Sequence, residues 1–139
     1  MSNLFYTPLH PTPTNIGLLI FRIFIGLNIA FMHGFGKMPP AEQFVGMVSG
    51  MGFPAPGLFA WLAALAEFGG GILIAIGLLT RPAAIVLAFN MAVAGLIFHA
   101  SDPWKVKELA WMFLFSAILL SFTGAGEYSV DSKLRKRTE

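Results

Sequence analysis

Residues 58–79 read LFAWLAALAEFGGGILIAIGLL, and Glu67 is the only charged side chain in this run. A helix of about 20 apolar residues spans the hydrocarbon core of a bilayer, so this run has the length and composition of a transmembrane helix. Three further runs of the same kind occur in the chain. We therefore predict an all-α integral membrane protein, a bundle of four transmembrane helices. The predicted spans are residues 16–35, 58–79, 82–99 and 104–123.

The composition of the chain agrees with a membrane location. Of its 139 residues, 56% are hydrophobic and 12% are charged, whereas about a quarter are charged in an ordinary soluble domain. The length leaves room for four spans and no second domain, so residues 1–139 should form a single membrane domain. The chain has no cysteine, which excludes disulfides, thiol exchange and cysteine-ligated metal sites. The net charge is only +2, and nucleic acid is not an expected partner.

The connections between the runs indicate how the helices follow one another. Thr80-Arg81-Pro82 allows only a tight turn, so the second and third spans should form an antiparallel hairpin. The connection before the second span carries apolar residues at helical spacing, namely Phe44, Met47, Val48 and Met51. This spacing predicts a short amphipathic helix at residues 40–50 that lies in the membrane interface, with an irregular loop as the alternative.

The distribution of Lys and Arg predicts the orientation in the membrane. With four spans, both termini and the turn at Arg81 share one side, which also carries Lys133, Arg135, Lys136 and Arg137. The other side carries Lys37, Lys105 and Lys107. The positive-inside rule therefore places both termini in the cytoplasm, in a multi-pass protein of a bacterial-type plasma (inner) membrane. The basic tail, residues 127–139, should act as a topology anchor. The chain shows no signal-peptide features, so we expect the first helix to be retained.

Arg22 and Glu67 are ionisable residues within predicted spans. A charge inside the bilayer costs at least a few kcal/mol, so such a residue normally has a partner or faces water. Their estimated depths differ by roughly 7 Å, a distance that a long arginine side chain can cover. We therefore predict an Arg22–Glu67 pair. It is either a structural ion pair that docks the first two helices or part of a proton-linked or ligand-binding site.

A second group of polar residues is expected at the end of the bundle away from the termini. His33 follows Arg22 by three helical turns and should share its face, and a stripe of small residues should direct His99 into the bundle. The predicted pocket contains His33, Lys37, Glu67, His99 and Glu108, with Trp61 and Trp104 at its rim. Two histidines could hold a haem or a metal ion. No H-x-x-x-H or H-x-x-E spacing is present, however, and we predict no metal site.

A quinone headgroup suits such a pocket better than a metal does. Its carbonyl oxygens need a His or Lys donor beside an apolar aromatic wall, and its reduction needs a proton carrier such as Glu or His. On this interpretation Glu67 and His33 are the candidate catalytic residues that handle protons. The candidate ligand-binding residues are Arg22, Lys37, Trp61, His99, Trp104 and Glu108.

Several short motifs together resemble the DoxX family of small four-helix membrane proteins. They are Arg22 followed by His33-Gly34-x-x-Lys37, Gly52-Phe-Pro54, Glu67-Phe-Gly-Gly70, Gly77-Leu-Leu-Thr80-Arg81, Glu108, and Gly124-Ala-Gly126-Glu-Tyr128-Ser-Val-Asp131. Each motif is weak alone, but they occur in the family's order over almost the whole chain. By this resemblance, Arg81 joins Arg22, His33, Lys37, Glu67 and Glu108 as a candidate site residue.

The resemblance also implies a class of function. The family is named after the small subunit of a thiosulfate:quinone oxidoreductase, and other members are linked to oxidative-stress complexes. A quinone is therefore the candidate cofactor. The expected partners are membrane lipid, a quinone, another membrane or redox subunit and a second copy of the chain. The alternative is a non-enzymatic assembly factor, chaperone or scaffold whose buried charges are structural. A channel or transporter is less favoured, because four spans offer no obvious aqueous path.

Overall fold

The structure is a computed structural model that describes residues 12–137. This part of the chain is helical and contains no β-strand. The helices are α1 (Thr12–Lys37), α2 (Glu42–Gly50), α3 (Pro56–Ile76), α4 (Thr80–Phe98), α5 (Trp104–Thr123) and α6 (Val130–Lys136). Four of them, α1, α3, α4 and α5, are long and apolar enough to cross a membrane. The predicted fold class is confirmed.

Proline and glycine mark the helix boundaries in the second half of the chain. Pro56 lies in the first turn of α3, where its missing N–H removes no helical hydrogen bond. Gly77 directly follows the last residue of α3, and its φ of +73° suits a residue without a β-carbon. Helix α4 begins three residues later, which produces the expected hairpin. Gly124, with φ +74°, ends α5.

The four long helices are arranged as a curved row. Helix α3 packs against α1 on one side and α4 on the other, and α4 packs extensively against α5. Helices α1 and α5, at the two ends of the row, make few contacts, one of which joins His33 and Phe113. The core lies between the helices and includes Ile29, Ile74, Leu87, Met91, Phe113 and Leu120. We call the end of the bundle with Thr12, Gly77 and α6 the terminal side, and the end with α2 the loop side.

Glycines bring the backbones of α1 and α3 into direct contact. A β-carbon on Gly26 would lie 2.5 Å from the Gly71 carbonyl oxygen, and one on Gly71 would lie 2.6 Å from the Gly26 carbonyl oxygen. A β-carbon on Gly34 would collide with the backbone of Phe68. Small residues of this kind let transmembrane helices approach closely, where van der Waals packing holds them together.

Two of the long helices are not regular. Helix α1 is α-helical to Leu27, π-helical over Asn28–Gly34 and ends in a 3₁₀ turn, Phe35–Lys37. Helix α4 changes to a π-helix over Ala94–Phe98. Because π-helical hydrogen bonds run from i to i+5, each turn contains more residues than the 3.6 of an α-helix. The residues beyond these segments therefore face different directions from those that α-helical spacing predicts.

Short helices also occupy two connecting or terminal segments. Helix α2 is present within the stretch whose apolar spacing predicted a helix, and its Val48 is buried. The predicted basic tail is not simply an extension into solvent. Its helix α6 returns to the bundle, where the Asp131 amide donates to the Gly77 carbonyl over 2.8 Å.

The α1–α3 contact leads to a stability prediction. Gly26→Ala should destabilise the bundle by about 1–3 kcal/mol, because the added methyl group has no room against Gly71. Gly17→Ala is the matched control on the same helix, since nothing lies within 4 Å of its added methyl group. The control should be neutral or stabilising by up to about 1 kcal/mol through helix propensity. Thermal unfolding in detergent measures both variants, and equal effects would contradict the proposed close packing.

Candidate functional site

A cavity of about 380 Å³ lies on the loop side of the bundle, between α2, α3, α4 and the end of α1. Most of its wall is apolar and includes residues from α2 and the segment that follows it. Four polar side chains also line it: Lys37, Glu67, Asn90 and His99. A mainly apolar cavity with a few converging polar groups is typical of small-molecule sites.

Glu67 is the buried charge at this cavity. Its side chain is only 4% exposed, and Lys37 Nζ lies 2.6 Å from its Oε1 and 2.7 Å from its Oε2. The Asn90 side-chain amide also donates to Oε1, over 3.1 Å. Because an isolated charge is costly in the membrane, these two partners explain how the carboxylate is accommodated. The network joins α1, α3 and α4 at one point.

His99 forms a second polar pair at the cavity. Its Nδ1 lies 2.6 Å from Asp102 Oδ2, and the carboxylate side chain of Asp102 is 44% exposed. The imidazole thus contacts the cavity on one side and an aqueous-facing carboxylate on the other. Such a histidine can exchange protons between a cavity and the surface.

The structure brings together only part of the predicted pocket. Lys37, Glu67 and His99 line one cavity, but His33 does not. Its ring instead packs edge-on against Phe113 of α5, with 5.5 Å between the ring centroids. The π-helical segment of α1 explains this error, because it rotates His33 away from the face that it would share with Arg22 in a regular helix.

The two tryptophans predicted at the rim of the pocket and Glu108, predicted within it, also lie elsewhere. Trp61 is exposed on α3 and does not line the cavity. Trp104 and Glu108 line a separate groove between α1 and α5. All three share the loop side, as predicted, but Trp61 lies on α3 whereas Trp104 and Glu108 lie between α1 and α5.

The predicted Arg22–Glu67 ion pair is wrong. Arg22 is 1% exposed, and its guanidinium donates to backbone carbonyls: Ile74 over 3.3 Å, Ala75 over 2.6 Å, and Tyr128. The first two belong to the last turn of α3, where the carbonyl groups carry the negative end of the helix dipole and can accept hydrogen bonds from a cation. Arg22 therefore binds the terminal end of α3, whereas Glu67 binds Lys37 toward the loop side.

Sequence reasoning missed the contacts that attach the C-terminal segment. The Asp131 carboxylate accepts hydrogen bonds from the backbone amides of Leu79, over 2.8 Å, and Thr80, over 3.0 Å, and so caps α4. Asn15 donates to the Glu127 carboxylate over 3.0 Å and accepts from the Glu127 amide over 2.9 Å. Asp131 belongs to the closing motif of the family resemblance, but no spacing in the sequence indicates which amides it caps.

Arg81, a candidate from the resemblance, also lies on the terminal side. Its guanidinium donates to the Phe122 carbonyl over 3.1 Å. It is therefore remote from the cavity and connects the start of α4 to the end of α5. In position it belongs with the contacts of the C-terminal segment.

The fold and its four spans define an integral membrane protein built as a small helical bundle. The DoxX family model matches residues 17–100, and the chain belongs to the DoxX family. The chain is 32% identical over 127 residues to "Inner membrane protein YqjF" of Escherichia coli, with 88% of this chain and 95% of the relative covered. It is 34% identical to "Inner membrane protein YphA" of the same organism, with 84% and 89% covered. It is 28% identical to "Putative oxidoreductase CatD" of Bacillus subtilis, with 84% and 85% covered. No solved structure shows a significant match.

The corrected role of Arg22 gives a second prediction. Arg22→Ala should destabilise the bundle by about 2–4 kcal/mol, because several buried carbonyls lose a charged donor. The charge exchange Arg22→Glu/Glu67→Arg should not recover any of the stability that the single variants lose, since the two residues have different partners. Arg137→Ala removes an exposed cation and is the control. Thermal unfolding in detergent is the measurement, and recovery by the exchange would restore the ion-pair hypothesis.

Proposed function

We propose that the chain is a quinone-binding subunit of a membrane oxidoreductase system and that its loop-side cavity receives the quinone headgroup. The observation that carries this proposal is the buried Glu67 carboxylate, held by Lys37 and Asn90 in the wall of an otherwise apolar cavity. A charge placed within a span normally marks a functional site. The name of the CatD relative points to the same class of activity.

The residues of the cavity fit a quinone headgroup. Lys37 and Asn90 offer N–H donors of the kind that carbonyl oxygens accept, and His99 adds a third when both of its ring nitrogens carry a proton. The rings of Phe53 and Phe59, which lie 4.9 Å apart, contribute to the apolar wall against which a planar ring can pack. The volume of about 380 Å³ lies within the usual range of small-molecule sites.

The protein groups in this site can supply and remove protons. When bound, a quinone supplies carbonyl oxygens that take up electrons and protons. Glu67 is the proposed proton carrier inside the cavity, and Lys37 holds its carboxylate in place. His99 is the proposed second carrier, because Asp102 connects it to the surface. His33, which packs on Phe113, has no place in this scheme.

Electron transfer would require a partner subunit. The chain has no cysteine and therefore cannot carry a thiol relay of its own. We propose that a redox subunit on the loop side delivers electrons to the cavity. The alternative is a scaffold or assembly factor in which the Lys37–Glu67 pair only fastens the helices.

Quinone binding is the third prediction. Protein purified in mild detergent should contain a quinone in its organic extract, identified by mass spectrometry. Lys37→Gln/Glu67→Gln removes both charges without leaving either unpaired, and it should weaken binding of a short-chain quinone about tenfold, equivalent to roughly 1.4 kcal/mol. Glu42→Gln, an exposed carboxylate outside the cavity, is the matched control. Absence of binding by the wild-type protein, with a loss of thermal stability in the double variant, would favour the scaffold.

The distribution of cations supports the cytoplasmic location of the terminal side. Lys37, one of three lysines on the loop side, is engaged by Glu67 within the bundle. The loop side has two further cations, Lys105 and Lys107, whereas the terminal side has five basic residues. We propose that both termini are cytoplasmic in a bacterial inner membrane, the location printed in the names of the two E. coli relatives.

Orientation is the fourth prediction, and the absence of cysteine makes it simple to test. Single cysteines are introduced by Ser101→Cys on the loop side and Thr138→Cys near the C-terminus. A membrane-impermeant maleimide added to intact spheroplasts should label only the first variant, and both should react after lysis. Labelling of the second variant alone in intact spheroplasts would reverse the orientation.

A further inference from the structure

A groove of about 700 Å³ separates α1 from α5 and lies apart from the cavity described above. It exists because these two helices end the curved row and make few contacts with each other. Phe24 and Ile25 contribute to its α1 wall, and Met112 and Phe115 contribute to its α5 wall. The groove is thus largely apolar, as expected of a surface exposed to acyl chains.

One face of α5 adds a carboxylate and two indoles to this groove. Trp104, Glu108, Trp111 and Phe115 follow one another at i, i+4, i+7 and i+11, and all four line it. The ring centroids of Trp104 and Trp111 are 6.1 Å apart. Glu108 is exposed, and within residues 12–137 it forms no ion pair. Glu108 is one helical turn from each indole in sequence, and a carboxylate that shares a groove with aromatic rings can recognise an organic ammonium group.

The position of this group along α5 corresponds to the headgroup level of a membrane. Glu108 lies four residues into the helix, about 6 Å from its start at 1.5 Å per residue. Tryptophan is enriched at this level because its ring is apolar and its N–H is polar. The groove continues to Ser116, about 18 Å from the start of α5, which is similar to the depth of one leaflet.

We propose that the α1–α5 groove binds one phospholipid with a primary-ammonium headgroup, of the phosphatidylethanolamine type. The ammonium group donates hydrogen bonds to the Glu108 carboxylate and lies against the face of Trp104. An acyl chain follows the groove past Met112 and Phe115. This site shares no residue with the proposed quinone cavity, so each proposal can be tested independently of the other.

Charge complementarity favours this lipid over the other occupants. Among residues 12–137, Glu108 is the only charged one that lines the groove, and its negative charge disfavours an anionic headgroup. A choline headgroup can contact the indoles but has no N–H to donate to the carboxylate. A second copy of the chain, docked by two-fold symmetry across the groove, would bring Glu108 toward its own copy.

The test is native mass spectrometry of the delipidated, detergent-solubilised protein. Phosphatidylethanolamine, phosphatidylcholine and phosphatidylglycerol with identical acyl chains are titrated separately. We expect phosphatidylethanolamine to bind most tightly. Glu108→Gln should weaken that binding about tenfold, the loss expected for a charged hydrogen bond. Trp104 is exposed, so Trp104→Leu should leave the fold intact. This variant should weaken phosphatidylethanolamine binding several-fold.

A control variant and four alternative outcomes make the experiment decisive. Glu42→Gln removes an exposed carboxylate from α2 and should leave phosphatidylethanolamine binding unchanged. Equal binding of the three lipids would overturn the proposal. Tighter binding of phosphatidylglycerol would also overturn it and would instead indicate that Lys105 or Lys107 binds an anionic headgroup. Dimer formation that competes with lipid would overturn it in favour of a second copy of the chain. Unchanged phosphatidylethanolamine affinity in Glu108→Gln would also reject the assigned role of the carboxylate.

Discussion

The close contact between α1 and α3 is the constraint on which the rest of the structure depends. Gly26 and Gly71 let the two backbones touch, and this places both cations of α1, the buried Arg22 and the partly exposed Lys37, within reach of α3. Arg22 reaches the carbonyls at one end of α3, and Lys37 reaches Glu67 toward the other. A wider separation would leave these charges without partners in a medium that offers no water. The glycine contact and the charged contacts therefore require each other.

Hydropathy alone was sufficient to predict the fold. The four spans are visible as apolar runs because lipid selects for length and composition, and these properties do not depend on how helices pack. The same reasoning identified Glu67 as a residue of special interest, since a lone charge in an apolar run is unusual. It also assigned Lys37 and His99 to the correct end of the bundle, because helix order fixes which ends meet.

The partners of these residues could not be predicted in the same way. Side-chain patterns do not show which backbone carbonyls are left free, and Arg22 binds carbonyls rather than a carboxylate. The direction of the His33 side chain was also predicted wrongly from α-helical spacing. The π-helical segment of α1 changes the number of residues per turn, and no proline marks this segment in the sequence. Asp131 is a third case. Its capping of α4 joins residues that are far apart in sequence, and only the folded chain brings them together.

The two sides of the bundle differ in how they are held together. On the terminal side, buried and partly buried hydrogen bonds connect α1, α3, α4 and the C-terminal segment; they are made by Arg22, Asp131 and the Asn15–Glu127 contact. On the loop side, α2 packs mainly against α3 and forms one wall of a cavity. A binding site needs a wall that can move to let the ligand enter, whereas the polar groups that recognise the ligand must keep their positions. The α1–α3 contact serves both demands, because it holds Lys37 beside Glu67, whereas α2 contacts the bundle mainly through α3.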